Sequence, residues 1–289
     1  MRIARFGDTY AAAYTFGAAL MDDNWQSDRP PVAQAVSGAS GAFDYYGSNN
    51  YPIMPVTANK KFAITGTSSA DLEDSLITLR AATIATDRSK LWWLDRDDST
   101  KYWSWAKCTR LRAVDTYKEK GRWVKLVDID FYMPEGIWYG ETQNTENDSI
   151  SIGGAYTGDA TIAVTNSGNI SALVYITLQP ANVGMIQAAA RVKTGATAVS
   201  QWNFTGGVSD GTYLVVDART YICTNASADA YSGLAVGDAT LIDATDVDQV
   251  AWLWIPTGSY DLYIKVEGDT GGSTESVTYT IYWWHTYVF

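Results

Sequence analysis

The sequence predicts a mainly β protein of two domains, and three observations predict it. Helix-favouring Lys, Glu and Gln are scarce, whereas the 289 residues include 19 Tyr, 12 Trp and 24 Gly, a composition suited to strands and tight turns. Short β-type runs recur along the chain between turn signals, with one amphipathic helical stripe among them. A chain of this length is long for one domain and can bury a core in each of two.

The first half yields its elements in order. Met1 to Met21 begins with a polar alternating segment that reads as a strand. Ser27 to Pro31 (SDRPP) reads as a turn or arm, because two prolines deny a ladder its donors. Val32 to Val36 and Phe62 to Thr65 are short strands. A helix follows at SSADLEDSLITLRAATIATD: Ser68 and Asp71 make a capping box, acidic residues fill the first turn, and Leu72, Leu76 and Leu79 form one apolar stripe. Leu91–Leu94 and Lys101–Cys108 flank DRDDST as a hairpin, with Trp103 and Trp105 on one face. Thr109–Val114 and Arg122–Tyr132 pair around YKEKG; Trp123, Val127, Ile129 and Phe131 share one face, and Asp128 and Asp130 the other.

The strand beginning at Arg122 runs into a Pro-Glu-Gly break and an aromatic cluster, RWVKLVDIDFYMPEGIWYG. After it, Gly140–Asp148 (GETQNTEND) is polar and lacks periodicity, so it reads as a linker with the boundary near Thr145. The domains are then 1–145 and 146–289. Beyond the boundary come nine β-type runs: SISIG, TIAVTN, LVYITL, MIQAAARV, YLVVD, TYICT, VAWLWI, YDLYIKV and VTYTIYWW. Their spacing predicts a β-sandwich of jelly-roll or lectin-like type, in which Trp252–Ile255 turns at Pro256-Thr257-Gly258 into a hairpin with Tyr260–Val266.

Charge divides at the same place. Up to Thr145 there are 17 Lys+Arg against 18 Asp+Glu; from Glu146 on there are 4 against 14, so nearly all of the net −11 lies in the second half. An acidic second half argues against nucleic-acid binding there, since phosphate contacts need cations. The two cysteines, Cys108 and Cys223, fall on either side of the boundary, which suits a reducing compartment. The polar N-terminal segment lacks the apolar core of a signal peptide, and no apolar run reaches transmembrane length.

Catalytic signatures are missing. The sole histidine, His285, sits in an aromatic strand beside Trp284 and reads as structural, and no GxSxG, phosphate loop, dinucleotide fingerprint or HExxH occurs. Carboxylates cluster at Asp95/Asp97/Asp98 and Asp243/Asp246/Asp248; solvated turns are the plain reading, a weak calcium site the sharper one. Neither a metal, a cofactor nor an enzymatic activity is expected. Trp92, Trp93, Trp103 and Trp105 are candidate core or subunit-interface aromatics. Trp202, in the loop-like SQWNFTGG, is the candidate to stack under a sugar ring.

Two stretches resemble the distal tail protein of long-tailed, non-contractile bacteriophages. One is the strand leading into MPEGIWYG, which is similar to the end of that family's first domain. The other is VAWLWIPTGSYDLYIKVEG with VTYTIYWWHTYVF, similar to its closing strands. Between them VTNSGNISALVYITLQP resembles the Asn-x-Gly strand pair that opens the second domain, and VAQAVSGASGAFDYYG fits the N-terminal region. Pro-Glu-Gly stands where Pro-Asp-Pro is usual, and IPTGSY lacks the Asn that often follows the glycine.

The resemblance implies a tail-tube-type, β-sandwich-like first domain with one helix and a galectin-like second sandwich. It implies a structural virion protein at the tail tip, assembled in the host cytoplasm, with six copies in a ring. Its partners would be the tail tube protein, the tail-tip hub protein and receptor-binding or side-fibre proteins, with DNA only in transit and no membrane insertion. A carbohydrate-binding β-sandwich that contacts host glycans is the alternative function, and a polysaccharide-degrading enzyme a third.

Overall fold

The structure, a computed structural model, describes residues 2–16, 24–26, 55–84, 88–95, 99–218, 222–226, 253–271 and 274–287. The Val32–Val36 strand and the SDRPP arm lie outside them. The chain divides into two compact units, passing from the first to the second between Glu141 and Thr142.

In the first unit the strands are β1 (Arg2–Phe6), β2 (Tyr14–Thr15), β3 (Asn24–Gln26) and β4 (Val56–Gly66), then helix α1 (Ser69–Thr83), β5 (Ser89–Leu94), β6 (Lys101–Glu119), β7 (Arg122–Met133) and the start of β8 (Trp138–Ser151). The two strands expected at Lys101–Cys108 and Thr109–Val114 are one, β6. Its first part pairs with β5, Trp92 opposite Trp103, and β5 pairs with β1. Its second part pairs with β7, which pairs on its other side with β4. The partner changes between Ala106 and Lys107, and a register shift follows between Cys108 and Arg110, the kind of bulge that bends a strand.

β4 is longer than the sequence suggested. Ala58, Lys60, Phe62 and Ile64 all point inward, so an apolar alternation was present but was disguised by the buried Lys60. On β7 Val127, Ile129, Phe131 and Met133 point inward, and Trp123, half-buried opposite Gly66, keeps their phase in an unbroken register with β4, while Val124 is buried on the other face. A second register shift with the partner strand β6 falls between Ala113 and Thr116. The hairpin closes on Lys120 and Gly121, with φ of 47° and 81°, the pair of positive φ values a two-residue twisted turn requires.

Helix α1 lies over β4 and β7 and buries Leu72, Leu76 and Leu79, the stripe read from the sequence. Ser68 caps it by accepting the Asp71 N–H at 3.1 Å. The Asp71 carboxylate does not return to Ser68; it accepts from the Thr67 N–H at 2.7 Å and hydroxyl at 3.1 Å. The helix can sit this close because residue 66 is glycine. A Cβ there would lie 2.7 Å from the Leu72 nitrogen and 2.9 Å from the Ser68 oxygen.

The second unit begins within β8 and continues through β9 (Thr157–Asn166), β10 (Ala172–Leu173), β11 (Tyr175–Ala181), β12 (Met185–Thr194), β13 (Thr197–Val208), β14 (Tyr213–Asp217), β15 (Ile222–Ala226), β16 (Trp254–Ile255), β17 (Gly258–Gly268) and β18 (Ser276–Tyr287). One antiparallel sheet has the order β13-β12-β17-β9; the facing one contains β15-β14-β11-β18. A single cluster fills the space between them, with Val192, Phe204, Ile264 and Val164 from one sheet and Ile176, Leu178, Leu214 and Ile281 from the other. This is the predicted sandwich.

Three expectations are corrected. The Gly140–Asp148 linker is strand, part of β8; residues Glu141 to Ser149 are exposed or half-buried throughout, and a strand without a buried face shows no period of two. SQWNFTGG is not a loop but the middle of β13, where Ser200, Trp202 and Phe204 alternate inward with Gln201, Asn203 and Thr205 outward. The Pro256 turn does not close a hairpin. β16 pairs with β10, while β17 is flanked by β9 and β12, so the turn carries the chain between pairings.

Adding a methyl group at the helix–strand contact should be costly: Gly66→Ala is expected to lose about 1–3 kcal/mol of stability by overpacking against backbone. Urea unfolding will check this as a lowered midpoint at unchanged slope.

Candidate interaction surfaces

Reactive chemistry does not assemble among the described residues. No group of three or more His, Cys, Asp or Glu converges as metal ligands would. Cys108 and Cys223 are free and buried; burial pushes the Cys108 thiol up and the Cys223 thiol to about 12, so neither forms a thiolate near neutrality. The Asp95 carboxylate organises the hairpin loop, accepting the Ser99 N–H and hydroxyl at 2.9 Å each. Asp97, Asp98, Asp243, Asp246 and Asp248 lie outside the described residues.

His285 holds the sandwich together at a turn. Its Nδ1 accepts the Ser167 N–H at 3.0 Å, so the ring nitrogen must be unprotonated there, and burial lowers its pKa from about 6.5. Beside it, buried Asn166 donates to the carbonyls of Ile170 at 2.7 Å and Ile255 at 3.1 Å and accepts the Gly168 N–H at 3.0 Å. A Cβ on Gly168 would lie 2.0 Å from the Thr286 oxygen. The Asn-Ser-Gly stretch is therefore a structural fastening.

The four tryptophans of β5 and β6 fall on both faces of their sheet, Trp92, Trp103 and Trp105 on one and Trp93, opposite Tyr102, on the other. Trp93 and Trp103 are 1 % exposed and Trp92 4 %; Trp105 is half-buried. Trp103 stacks on Tyr139 at 4.5 Å between centroids and meets Trp105 edge-on at 5.5 Å, while Trp93 lies 5.3 Å from Trp138. The Trp92 and Trp103 Nε1 groups donate to the carbonyls of Gly7 and Gly140 at 2.9 and 3.1 Å. Lys90 Nζ sits 4.4 Å from the Trp103 ring centroid and 5.8 Å from those of Trp92 and Trp105. Lys90 is thus within cation–π range of all three rings. Within the chain, Trp92, Trp93 and Trp103 are core residues; Trp105 lies at the margin, under the Arg88 guanidinium at 5.1 Å.

Trp202 is 1 % exposed and stacks on Phe204 at 6.2 Å inside the sandwich. It presents no ring face to a sugar, contrary to the sequence-based expectation. The outward side of the same sheet is polar: Gln187, Arg191, Asn203, Thr205 and Lys265 surround the small Ala189, leaving a shallow hollow. The nearby Tyr263 ring is covered by Lys193, with Nζ 3.9 Å from the centroid, and its hydroxyl donates to Asp159 at 2.8 Å.

The largest feature missed in the sequence is the β6–β7 hairpin. Residues 107–125 contain seven of the chain's 21 Lys+Arg and only two of its 32 Asp+Glu. Towards its base Arg110 pairs with Asp130 at 2.6 Å and Asp128 at 3.4 Å, and Asn59 on β4 bridges the same two carboxylates at 2.6 and 2.5 Å. Lys125 pairs with Glu73 of the helix at 2.8 Å. Arg112, midway along the hairpin opposite Asp128, and Lys120 and Arg122 at its turn have exposed side chains with no hydrogen bond or ion pair among the described residues, and Val114 and Tyr117 are exposed between them. The signal is the cation density of KCTRLRAVDTYKEKGRWVK, which a charge balance over the whole first half conceals.

No protein-family profile and no curated protein sequence matches the chain. Comparison of folds does find neighbours. One is the SPP1 Dit (gp 19.1) protein, described as a paradigm of the hub adsorption apparatus in phages infecting Gram-positive bacteria. It is 12 % identical with a TM-score of 0.49, over 93 % of this chain and 89 % of that one. Another is in the phage P2 baseplate in its activated conformation, in calcium and strontium forms, each 11 % identical with a TM-score of 0.42 over 78 % of both chains. These TM-scores lie below 0.5, and the functional reading is carried by the chain's own residues.

Two outcomes check the site assignments. Trp202→Ala should cost about 3–5 kcal/mol of stability, with Trp202→Phe far milder, as for a core ring; urea unfolding of both variants measures it. His285, with a folded pKa below its unfolded one, supports stability that is whole above about pH 6.5 and is lost as pH falls toward the folded value. The thermal midpoint should therefore fall between about pH 7.5 and pH 5.5, and fall less in His285→Asn, whose side-chain oxygen can still accept from Ser167.

Proposed function

We propose that this chain is a structural protein of a bacteriophage tail tip, with copies closing into a ring, hexameric by the resemblance, that joins the tail tube to the tip hub. Domain 1–145 forms the ring. Domain 146–289, a galectin-like sandwich, stands outward and carries receptor-binding or side-fibre proteins, while DNA passes only through the opening. The protein belongs to the virion, takes no cofactor and performs no catalysis.

The observation that carries this reading is the order of parts. A unit of two sheets sharing β6, with one helix, ends on MPEGIWYG; a sandwich follows that is fastened at Asn166-Ser-Gly168 and closes on aromatic β18. That is the order the resemblance requires, and the quoted motifs sit at its structural joints. The contrast in charge supports the same division. A nearly neutral unit can come close to copies of itself, whereas one with 14 carboxylates against 4 cations resists close packing and favours solvent.

Purified protein, alone or mixed with the tail tube protein, should give rings in electron microscopy and particles near 190 kDa, six times the 31.6 kDa chain, in mass photometry. Monomers alone under both conditions would contradict the proposal.

A further inference from the structure

We propose that the outward face of the β13-β12-β17-β9 sheet carries a binding site for an acidic sugar, seated in the hollow over Ala189 between Arg191 and Lys265. Such a site goes beyond the ring reading above and does not depend on it. Three observations on this face lead to it.

The first is shape. On the outward side of β12 the small Ala189 is flanked along its own strand by Gln187 and Arg191. Across the sheet its partners are Asn203 on β13 and Lys265 on β17. Neighbours in these positions lie about 5–7 Å away. A methyl group with longer side chains on all four sides leaves a hollow of about 210 Å³. The hollow is in mid-sheet, over a strand paired on both sides, so a peptide finds no free backbone edge there. A compact ring fits it better than an extended chain.

The second is the state of the groups around it. Residues 146–289 hold four cations against 14 carboxylates, and three of the four, Arg191, Lys193 and Lys265, stand on this one face. Lys193 is engaged over the Tyr263 ring at 3.9 Å. Arg191 and Lys265 are exposed and make no hydrogen bond or ion pair among the described residues. Asp159, which stands opposite Lys265, is taken up by the Tyr263 hydroxyl at 2.8 Å. The side-chain amides of Gln187 and half-buried Asn203 are likewise without a hydrogen bond among the described residues. Two cations beside two amides can hold an oxyanion together with the hydroxyls next to it.

The third is the rim. Glu267 faces Gln187, and Asp159 and Asp261 lie farther along the same face. Carboxylates accept from sugar hydroxyls but repel a run of phosphates, so one anionic group on a hydroxylated ring suits this face and nucleic acid does not. The Tyr263 ring is covered by Lys193 and offers no stacking platform, which leaves recognition to charge and hydrogen bonds. That favours an acidic sugar over a neutral one.

The test is saturation-transfer NMR of the full chain with galacturonate, glucose 6-phosphate and glucose as probes, and with inorganic phosphate as competitor. It is repeated on a variant combining Arg191→Ala and Lys265→Ala, which loses only exposed side chains. A second variant, Ala189→Leu, fills the hollow and leaves every charge in place; circular dichroism and thermal midpoint check both folds. At least one acidic sugar should bind about ten-fold more tightly than glucose or inorganic phosphate, and both variants should lose that binding. Galacturonate bound alone assigns the anionic group as a carboxylate, glucose 6-phosphate alone as a phosphate, and both as either oxyanion. Absence of binding by both acidic sugars overturns the proposal. So does glucose bound as tightly, or inorganic phosphate competing as well as the sugars bind, since the hollow would then recognise no acidic sugar as such. Binding that survives Ala189→Leu places the sugar elsewhere and also overturns it. Assembly is not read in any arm, so the ring reading stands or falls separately.

Discussion

The first unit depends on one strand serving two sheets. β6 completes the sheet with β5 and β1 through Lys101–Ala106, then bends at the bulge beside Cys108 and completes the sheet with β7 and β4. Everything placed on either sheet takes its position from that bend. The tryptophans pack because β5 and the start of β6 hold Trp92 opposite Trp103; the helix has a floor because β7 is paired on both sides. The same strand, running on past the end of its first sheet, becomes one leg of the basic hairpin. Both sheets of the unit and the basic hairpin are thus consequences of one continuous hydrogen-bonded ribbon.

The second unit is built on a different constraint, a closed apolar layer between two sheets. Three of its polar residues are fastenings. Asn166, His285 and Ser200 each bind backbone where strands end or the chain changes sheet, Ser200 by donating to the Trp254 carbonyl at 2.7 Å. Buried polar residues of this kind fix which strands adjoin, since each would be left unsatisfied in any other register. What remains for function is the exterior: charge, shape and the edges of sheets.

Much of the fold was legible in the sequence, and the failures share a cause. The helix was clear because Leu72, Leu76 and Leu79 are uninterrupted by any exception to the period. β4 was read as four residues because Lys60 stands at an inward position; β8 was read as linker because neither of its faces is covered over most of its length. β13 was missed through the polar look of SQWNFTGG, although its period of two was present in Ser200, Trp202 and Phe204. Alternation reports burial and not pairing, so a strand that is wet, or that carries one buried charge, is invisible to it. Pairing partners were less legible still: the Pro256 turn has the residues of a hairpin, yet β17 joins β9 and β12. The basic hairpin was legible as composition but became a surface only once the tip was seen to be exposed.

The central claim is a division of labour, in which the first domain assembles and the acidic sandwich does not take part in closing the ring. It is tested most directly by cutting the assembled protein with a protease at a site introduced near Thr145 and sizing the products. The account predicts that the first domain stays in ring-sized particles while the acidic sandwich is released as a monomer. Collapse of the particles on release of the sandwich would contradict it.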